Sequence, residues 1–358
     1  MQPITVYALM RRRFMQEASV SARAETIAPS RLRPLSIGDL LDESVRLYRR
    51  NWIRLVTIAA IITVPVTVFG LGFALLGAST FSSRPLLYAP SNSNPTTRWF
   101  IGQFGQIIVG LISAGLNGIM LGALVLVAGQ SYLGRPVTTG QAYHFAVRRF
   151  LVMIGTFIVF LLFLLLLLIA TLIPCVGWLG GPSAIAFVIV NLSALIVPVI
   201  MLEDRGVFAS LRRSWVLSKS QFWRILLILV VLYLFNMVLV GGPTWVVAVL
   251  VIALTSNPGM MSVVTVMMSA VVSLIFTPIW GVCMTLLYYD ARVRREAFDL
   301  ALIAGIEASL DEEQEPLLAR SDWKTLGILT LITVPAAIML LFLWPFFLFG
   351  TMGALRGF

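Results

Sequence analysis

Residues 150–173, FLVMIGTFIVFLLFLLLLLIATLI, form an uncharged apolar run that decides the fold. A helix needs about 20 residues to cross the hydrocarbon core of a bilayer, and this run is long enough. A lone strand is excluded as a spanning element, because its backbone N–H and C=O groups would be left unpaired in lipid. The sequence therefore predicts a transmembrane helix here.

Six further uncharged stretches are long enough to cross a bilayer, and they lie at 55–77, 101–128, 183–202, 225–251, 262–289 and 325–350. The composition of the whole chain agrees with this pattern, since 59% of residues are hydrophobic, 12% are charged and the mean hydropathy is +0.95. A soluble domain carries about 25% charged residues, so this chain cannot build a water-facing surface. We predict an all-α, polytopic transmembrane bundle of about seven helices.

The connections between these stretches are of two kinds. Residues 174–182 and 252–261 are short and rich in glycine and proline, so we expect each to join an antiparallel helical hairpin. Residues 78–100 are longer and polar, which is typical of a loop outside the membrane.

Charge predicts the orientation of the bundle. Of the 26 lysines and arginines, 23 lie in alternate extramembrane segments that begin with the N-terminus, and all 16 acidic residues lie there too. Positive residues accumulate on the cytoplasmic side of a membrane. We therefore predict a multi-pass protein of the prokaryotic cytoplasmic membrane, with the N-terminus in the cytosol and the C-terminus outside. The net charge of +10 then reflects orientation, and we expect no nucleic-acid partner.

A short motif occurs twice before a predicted span. Residues 33–39 read RPLSIGD, and residues 135–141 read RPVTTGQ. In each, a Ser or Thr precedes an Asp or Gln by three residues, which predicts a helix start with reciprocal capping. A third segment, 206–224, matches poorly. We predict three pseudo-repeats, each an amphipathic inner-face helix plus a transmembrane hairpin, with an extra C-terminal transmembrane helix.

The inner-face helices are predicted to be amphipathic. The third of these helices has one apolar stripe at helical spacing, formed by Phe208, Leu211, Trp215 and Phe222. Such a helix can lie in the headgroup layer with that stripe facing the lipid, or pack on the ends of its own bundle. Both interpretations stay open from sequence. The candidate lipid-facing or partner-facing residues are Arg46, Arg49, Arg50, Arg148, Arg149, Arg212, Arg213, Lys219, Trp52, Trp215 and Trp223.

No residue pattern predicts catalysis, a metal or a cofactor. The single histidine, His144, has no partner of catalytic spacing, and the two cysteines have no ligand spacing. Several amides lie in the predicted spans, namely Gln103, Gln106, Asn117, Asn191 and Asn236. We expect them to hydrogen-bond between helices. The alternative is that they line a path for a polar solute.

Three stretches resemble a known bacterial family. They are RPLSIGDLLDESVRLYRRNW (33–52), ASLRRSW with QFWR (209–224) and LYYDARVRREAFD (287–299). They are similar to the membrane domain found on some glycerophosphoryl diester phosphodiesterases, a six-helix module. In such fusions the chemistry belongs to a separate soluble barrel with a His-Arg pair and a metal. This chain has no room for that barrel and no His-Arg pair, so the resemblance implies a stand-alone module without catalytic residues.

Motifs and resemblance together predict the domain organisation. We expect a disordered cytosolic tail over 1–32, a six-helix membrane domain over 33–305, a cytosolic linker over 306–324 and the additional helix within 325–358. The leading functional prediction is a non-enzymatic module that organises lipids, mainly anionic ones, or partner proteins at the cytosolic face. The alternatives are a transporter of a neutral or amphiphilic solute and an accessory subunit of a larger membrane complex.

The predicted topology can be tested with the two native cysteines. Cys175 lies in a predicted outer loop, so a membrane-impermeant maleimide should label it on intact cells. Cys283 lies within a predicted span and should stay unlabelled, which provides the internal control. A reporter fused after Phe358 should be active only outside the cytoplasm. Strong cytoplasmic activity there would contradict the count of seven helices.

Overall fold

The structure is a computed structural model, and it describes residues 34–81, 95–135, 137–173, 176–255, 258–298, 319 and 321–335. Within these ranges the regular structure is helical, with no strand. The helices are α1 (Ile37–Phe81), α2 (Pro95–Tyr132), α3 (Thr139–Arg148), α4 (Phe150–Ala170), α5 (Val176–Ser193), α6 (Ile196–Glu203), α7 (Val207–Lys219), α8 (Phe222–Asn236), α9 (Gly242–Thr255), α10 (Pro258–Glu296) and α11 (321–335). A π-helical turn, Met237–Gly241, joins α8 to α9.

Six helical stretches of the described chain are long and apolar enough to cross a membrane. They are Ile37–Gly72, Gly110–Tyr132, Phe150–Ala170, Gly180–Glu203, Phe222–Val251 and Val263–Glu296. The predicted all-α membrane bundle is confirmed, and each of these stretches coincides with a predicted span. The seventh predicted span begins in α11. Its remainder, 336–350, lies outside the described residues, as do the predicted tail 1–32, most of the linker 306–324 and Cys175.

The chain forms two compact units, and each is described by itself. Unit 1 contains Met1–Val147 and Pro258–Ser309, so it includes α1, α2, α10 and nearly all of α3. Unit 2 contains Arg148–Asn257 and Leu310–Phe358, so it includes α4 to α9 and α11.

In unit 1, α10 runs antiparallel to α1 and also packs on α2. The pairs Leu35 with Asp290 and Gly70 with Val266 fix this direction. Gly281 lies where α10 meets α2, and a Cβ placed there would be 3.1 Å from the Cβ of Leu124. Glycine at this position therefore allows the two helices to approach closely, as small residues do in membrane bundles.

A break in helical geometry separates each amphipathic segment from the span that follows. In α1 the break is Asn51 (φ −120°, ψ 17°), whose side-chain amide donates to the carbonyl of Leu47 at 3.2 Å. Between α3 and α4 it is Arg149 (φ −90°, ψ 0°), and between α7 and α8 it is Gln221 (φ −121°, ψ 23°). We call residues 37–50, α3 and α7 the amphipathic segments.

Both predicted capping motifs form at helix starts. The backbone N–H of Asp39 donates to Ser36 Oγ at 3.1 Å, and the N–H of Ser36 donates back to Asp39 Oδ2 at 3.3 Å. Thr138 and Gln141 make the same reciprocal pair before α3, at 3.4 and 3.1 Å. The reciprocal bonds satisfy N–H groups that the first helical turn leaves unpaired, which is why these two helices begin where the sequence predicted.

In unit 2, α4 and α5 form the hairpin that the sequence predicted, but the connection is shorter than expected. The predicted loop was 174–182, whereas α5 begins at Val176 and contains Pro182. A Cβ on Gly177 would lie under 3.0 Å from the backbone of Ala170, and one on Gly181 would meet Thr171 equally closely. Gly177 and Gly181 therefore belong to a close helix–helix contact and not to the predicted loop.

The contact of α10 with α2 gives a stability prediction. Gly281→Val should lower the free energy of unfolding by about 1–3 kcal/mol, because the added side chain overpacks against Leu124. Gly110→Val is the matched control, since nothing lies within 4 Å of a Cβ at that position of the same bundle. Unfolding of the purified protein in mixed detergent, followed by circular dichroism, measures both. Equal stability of the two variants would contradict the close contact.

Candidate functional site

The amphipathic segment of α1 stands beside the end of α10. The N–H of Leu35 donates to Asp290 Oδ1 at 2.9 Å, and Arg294 bridges the same carboxylate at 3.0 Å and the carbonyl of Leu35 at 2.7 Å. Further along, Ser44 lies beside Cys283. The Asp290 side chain is fully buried, and these contacts supply the partners that a buried carboxylate requires.

In unit 2, α7 stands beside α6 and the end of α5 in the same manner. Arg213 Nε donates to both carboxylate oxygens of Glu203, at 2.9 and 2.8 Å, and the two side chains are 2% and 8% exposed. Ser214 and Ser218 donate to the backbone carbonyls of Asn191 and Leu192, over 2.5–3.3 Å. The segment therefore packs on its own bundle through a buried polar face.

That polar face corrects the predicted apolar stripe of α7. Phe208 is 75% exposed and Trp215 is only half-buried, whereas Ser210, Ser214 and Ser218 are fully buried. The apolar periodicity of the sequence does not reveal this face, because it depends on serines spaced four residues apart. Serine is small enough to bring two helices together, and its hydroxyl bonds a carbonyl in place of water. The prediction that Arg213 faces lipid or a partner is wrong, because Glu203 holds it inside.

Buried positions of α1 and of α7–α8 match at an offset of 170 residues. Ser44 and Ser214 are fully buried at equivalent places. The break in α1 at Asn51 lies 15 residues after Ser36, and the break at Gln221 lies 15 residues after Gly206, the residue before α7. The other buried pairs are Leu40 with Ser210, Leu47 with Leu217, Leu55 with Ile225, Ile58 with Ile228 and Ile62 with Leu232. The sequence carries this match as NWIRL over 51–55 and QFWRI over 221–225, which a comparison limited to the cap motif does not detect.

The basic residues around the break in α1 are exposed. Arg49, Arg50 and Arg54 are exposed and make no ion pair with the described residues, while Trp52 is 54% and Ile53 is 64% exposed. Leu47 and Leu55 are the nearest buried side chains on either side. The break thus presents three guanidinium groups and an indole at the charged end of an apolar span; we call Arg49–Arg54 the basic collar.

The other predicted basic candidates divide into two groups. Arg148 is exposed, and Arg46 is exposed while lying 3.3 Å from Glu43. Arg149 pairs with Asp204, with its side chain 15% exposed, and Arg212 and Lys219 are half-buried with interactions of their own. The two predicted tryptophans of unit 2 divide in the same way: Trp223 is 43% exposed, whereas Trp215 packs edge-on against Phe187.

Helix α3 is tied to unit 1 by a tyrosine. Tyr143 Oη donates to the carbonyl of Ile58, in the span portion of α1, at 2.5 Å. Burial raises the pKa of the Tyr143 phenol to about 12, so it stays a donor at neutral pH. His144, the next residue, is exposed, on a different side of the helix from buried Ala142 and Ala146.

The predicted intramembrane amides behave differently from one another. Asn117 is exposed, and its amide donates to the carbonyl of Ser113 in its own helix at 2.7 Å, so it makes no bond between helices. Asn191 is fully buried and donates to Phe187 at 2.9 Å. Asn236 is half-buried immediately before the π-helical turn. Gln103 and Gln106 lie in α2, but their side chains are outside the described residues.

Among the residues that the structure describes, no group of three His, Cys, Asp or Glu side chains could hold a metal ion. The acidic groups at the span ends are instead engaged by arginines, as Glu296 is by Arg292 at 2.8 Å. No protein-family model matches the chain, and no curated protein or solved structure is significantly similar to it. The arrangement is suited to binding anions at exposed guanidinium groups, since these donate in a planar fork.

The buried pair of unit 2 gives a second stability prediction. Glu203→Gln alone should cost about 3–5 kcal/mol of unfolding free energy, because it leaves the charge of Arg213 buried. Arg213→Met alone should cost less, because Arg205 still pairs with Glu203 at 2.8 Å. The double variant should recover much of that loss. Glu43→Gln, which frees an exposed Arg46, should cost under about 1 kcal/mol and serves as the control. Additive losses in the double variant would show that the two side chains do not interact.

Proposed function

We propose that this protein is a non-enzymatic membrane module that binds anionic lipid headgroups at the basic collar. One observation carries the proposal: Arg49, Arg50 and Arg54 are exposed beside an exposed Trp52, at the end of an apolar span. Two other arginines at the span ends are instead held by buried carboxylates, Arg213 by Glu203 and Arg294 by Asp290. The collar therefore offers cationic groups that the fold itself does not use.

The physical chemistry of the headgroup layer supports this reading. A basic residue near an anionic leaflet contributes about 1 kcal/mol, so three contribute roughly 3 kcal/mol, or more than a hundredfold in affinity. Tryptophan favours the same depth, because its ring is apolar and its N–H is a donor. The collar lies at the break in α1, where five of the six residues 49–54 are exposed and Asn51 is half-buried.

Orientation and repeat structure extend the proposal. We propose that the charged span ends, the collar included, face the cytoplasm of a prokaryotic cell, with the C-terminus outside, as the distribution of lysine and arginine predicts. We also propose that the matched buried positions at an offset of 170 residues reflect an internal repeat. The resemblance to the membrane domain of glycerophosphoryl diester phosphodiesterases stays a prediction.

Two other functions remain as alternatives. A partner membrane protein with an acidic juxtamembrane segment would use the same collar, and an accessory subunit could dock through α11. In the described part of α11, Thr330 hydrogen-bonds Ser183 of α5 at 2.8 Å, while Trp323 and Leu331 are exposed. The basic collar is favoured over α11 as the primary site, because its positive charges and its place at the end of an apolar span both suit anionic lipid headgroups.

Lipid titration of the full-length protein in neutral detergent tests the proposal. Native mass spectrometry should show saturable binding of phosphatidylglycerol and weaker binding of phosphatidylcholine. Arg49→Gln with Arg54→Gln should weaken phosphatidylglycerol binding about thirtyfold, because two contributions of about 1 kcal/mol are lost. Higher salt should reduce the wild-type preference.

The matched control removes the same charge elsewhere. Arg135 and Lys324 are exposed, and Arg135→Gln with Lys324→Gln should leave the preference for phosphatidylglycerol unchanged. If both double variants weaken binding equally, net charge and not the collar attracts the lipid. If the wild-type protein binds both lipids alike, lipid selection is excluded and the partner-protein alternative takes its place.

A further inference from the structure

An amide side chain is exposed inside one of the apolar spans of unit 1. Asn117 lies on α2 near the middle of the predicted span 101–128, about 24 Å along the helix from one end and about 16 Å from the other. Its Nδ2 donates to the carbonyl of Ser113 at 2.7 Å, and its Oδ1 accepts no hydrogen bond from the residues that the structure describes. Hydrocarbon offers no hydrogen-bond partner at this depth, so the amide requires one from another protein surface.

The face of α2 that carries Asn117 has the composition of a helix-packing face. Ser113 and Ala114, one turn before Asn117, are both small, and Ala114 is exposed. Leu124, two turns after Asn117 on the same face, packs against Gly281 of α10. The second half of this face is therefore covered by α10, while Ala114 and Asn117 in the first half stay exposed. Small residues at such a place let a second helix backbone approach closely.

A second copy of this chain is the partner that fits the exposed half of the face. Of the 26 lysines and arginines, 23 lie in alternate extramembrane segments, so all copies insert in one orientation. The two-fold axis of a symmetric pair is then perpendicular to the membrane, and a residue at the axis meets its own counterpart at the same depth. An amide is complementary to itself, because its oxygen accepts and its N–H donates.

We propose that the protein forms a symmetric dimer through the first half of α2, in which the Asn117 amides of two copies hydrogen-bond each other. Nδ2 of each copy uses one hydrogen for the carbonyl of Ser113 and offers the second to Oδ1 of the other copy. Two equivalent hydrogen bonds then satisfy both exposed amides. The contact is separate from the basic collar and requires no lipid headgroup.

Disulfide cross-linking of the full-length protein in native membranes tests the dimer. Ala114→Cys in a Cys175→Ser background should form an intermolecular disulfide on mild oxidation, seen as a band of twice the chain mass and confirmed by peptide mass spectrometry. The remaining native cysteine, Cys283, is buried. Ile112→Cys in the same background is the matched control, because Ile112 is 58% exposed at nearly the same depth but on the opposite side of α2.

The amide is tested separately, by single-molecule photobleaching of labelled full-length protein in phosphatidylcholine vesicles. Asn117→Leu should lower the association constant about tenfold, because two hydrogen bonds between helices are lost. The variant should still fold, since Asn117 is exposed and bonds only its own helix among the described residues. Asn117→Gln keeps a self-complementary amide and should associate nearly as well as the wild-type protein.

Three results would overturn the proposal. No intermolecular cross-link from Ala114→Cys, or an equal yield from Ile112→Cys, would show that this face meets lipid. A cross-link from Ala114→Cys to a protein of another mass would assign the face to a different partner. Association of Asn117→Leu at wild-type strength would show that the amides are not shared. Loss of the lipid preference in the collar variants leaves these measurements unchanged, so the two proposals fail independently.

Discussion

A buried carboxylate in each unit is the constraint on which the rest of the structure depends. Asp290 and Glu203 lie at the ends of apolar spans with side chains under 10% exposed. A charge in such a place is costly unless it is paired and hydrogen-bonded. Asp290 obtains its partners from Leu35, just before α1, and from Arg294 of its own helix, while Glu203 pairs with Arg213 of α7. The start of α1, through Leu35, and the middle of α7, through Arg213, are thereby fixed beside the spans.

Once the segments are fixed, their remaining side chains divide by role. Small residues such as Ser44 and Ser214 face the bundle, and the large aromatic residues are left partly outside. Arginines that meet a carboxylate become structural, and those around the break at Asn51 stay available to a ligand. Charge count alone therefore overstates the binding surface of such a protein, since pairing removes Arg213 and Arg294 from it.

The sequence predicts the features that depend on local rules. Span lengths follow from hydropathy, and the caps at Ser36 and Thr138 follow from three-residue spacing. It does not predict the serine face of α7, because serine is ambiguous between solvent and a close helix contact until the neighbouring helix is known. The sequence does not predict the pairing of Asp290 with Leu35 either, because 255 residues separate the two and only the packed helices bring them together.

The docking of an amphipathic segment against a span can be measured directly with a native cysteine. Ser44 lies beside Cys283, so Ser44→Cys in a Cys175→Ser background should form an intramolecular disulfide on mild oxidation, detected by peptide mass spectrometry. Val45→Cys, at a position that is 48% exposed, should not. Efficient cross-linking at 44 alone is the predicted result. No cross-link at 44, or equal cross-linking at 45, would show that the segment lies away from α10.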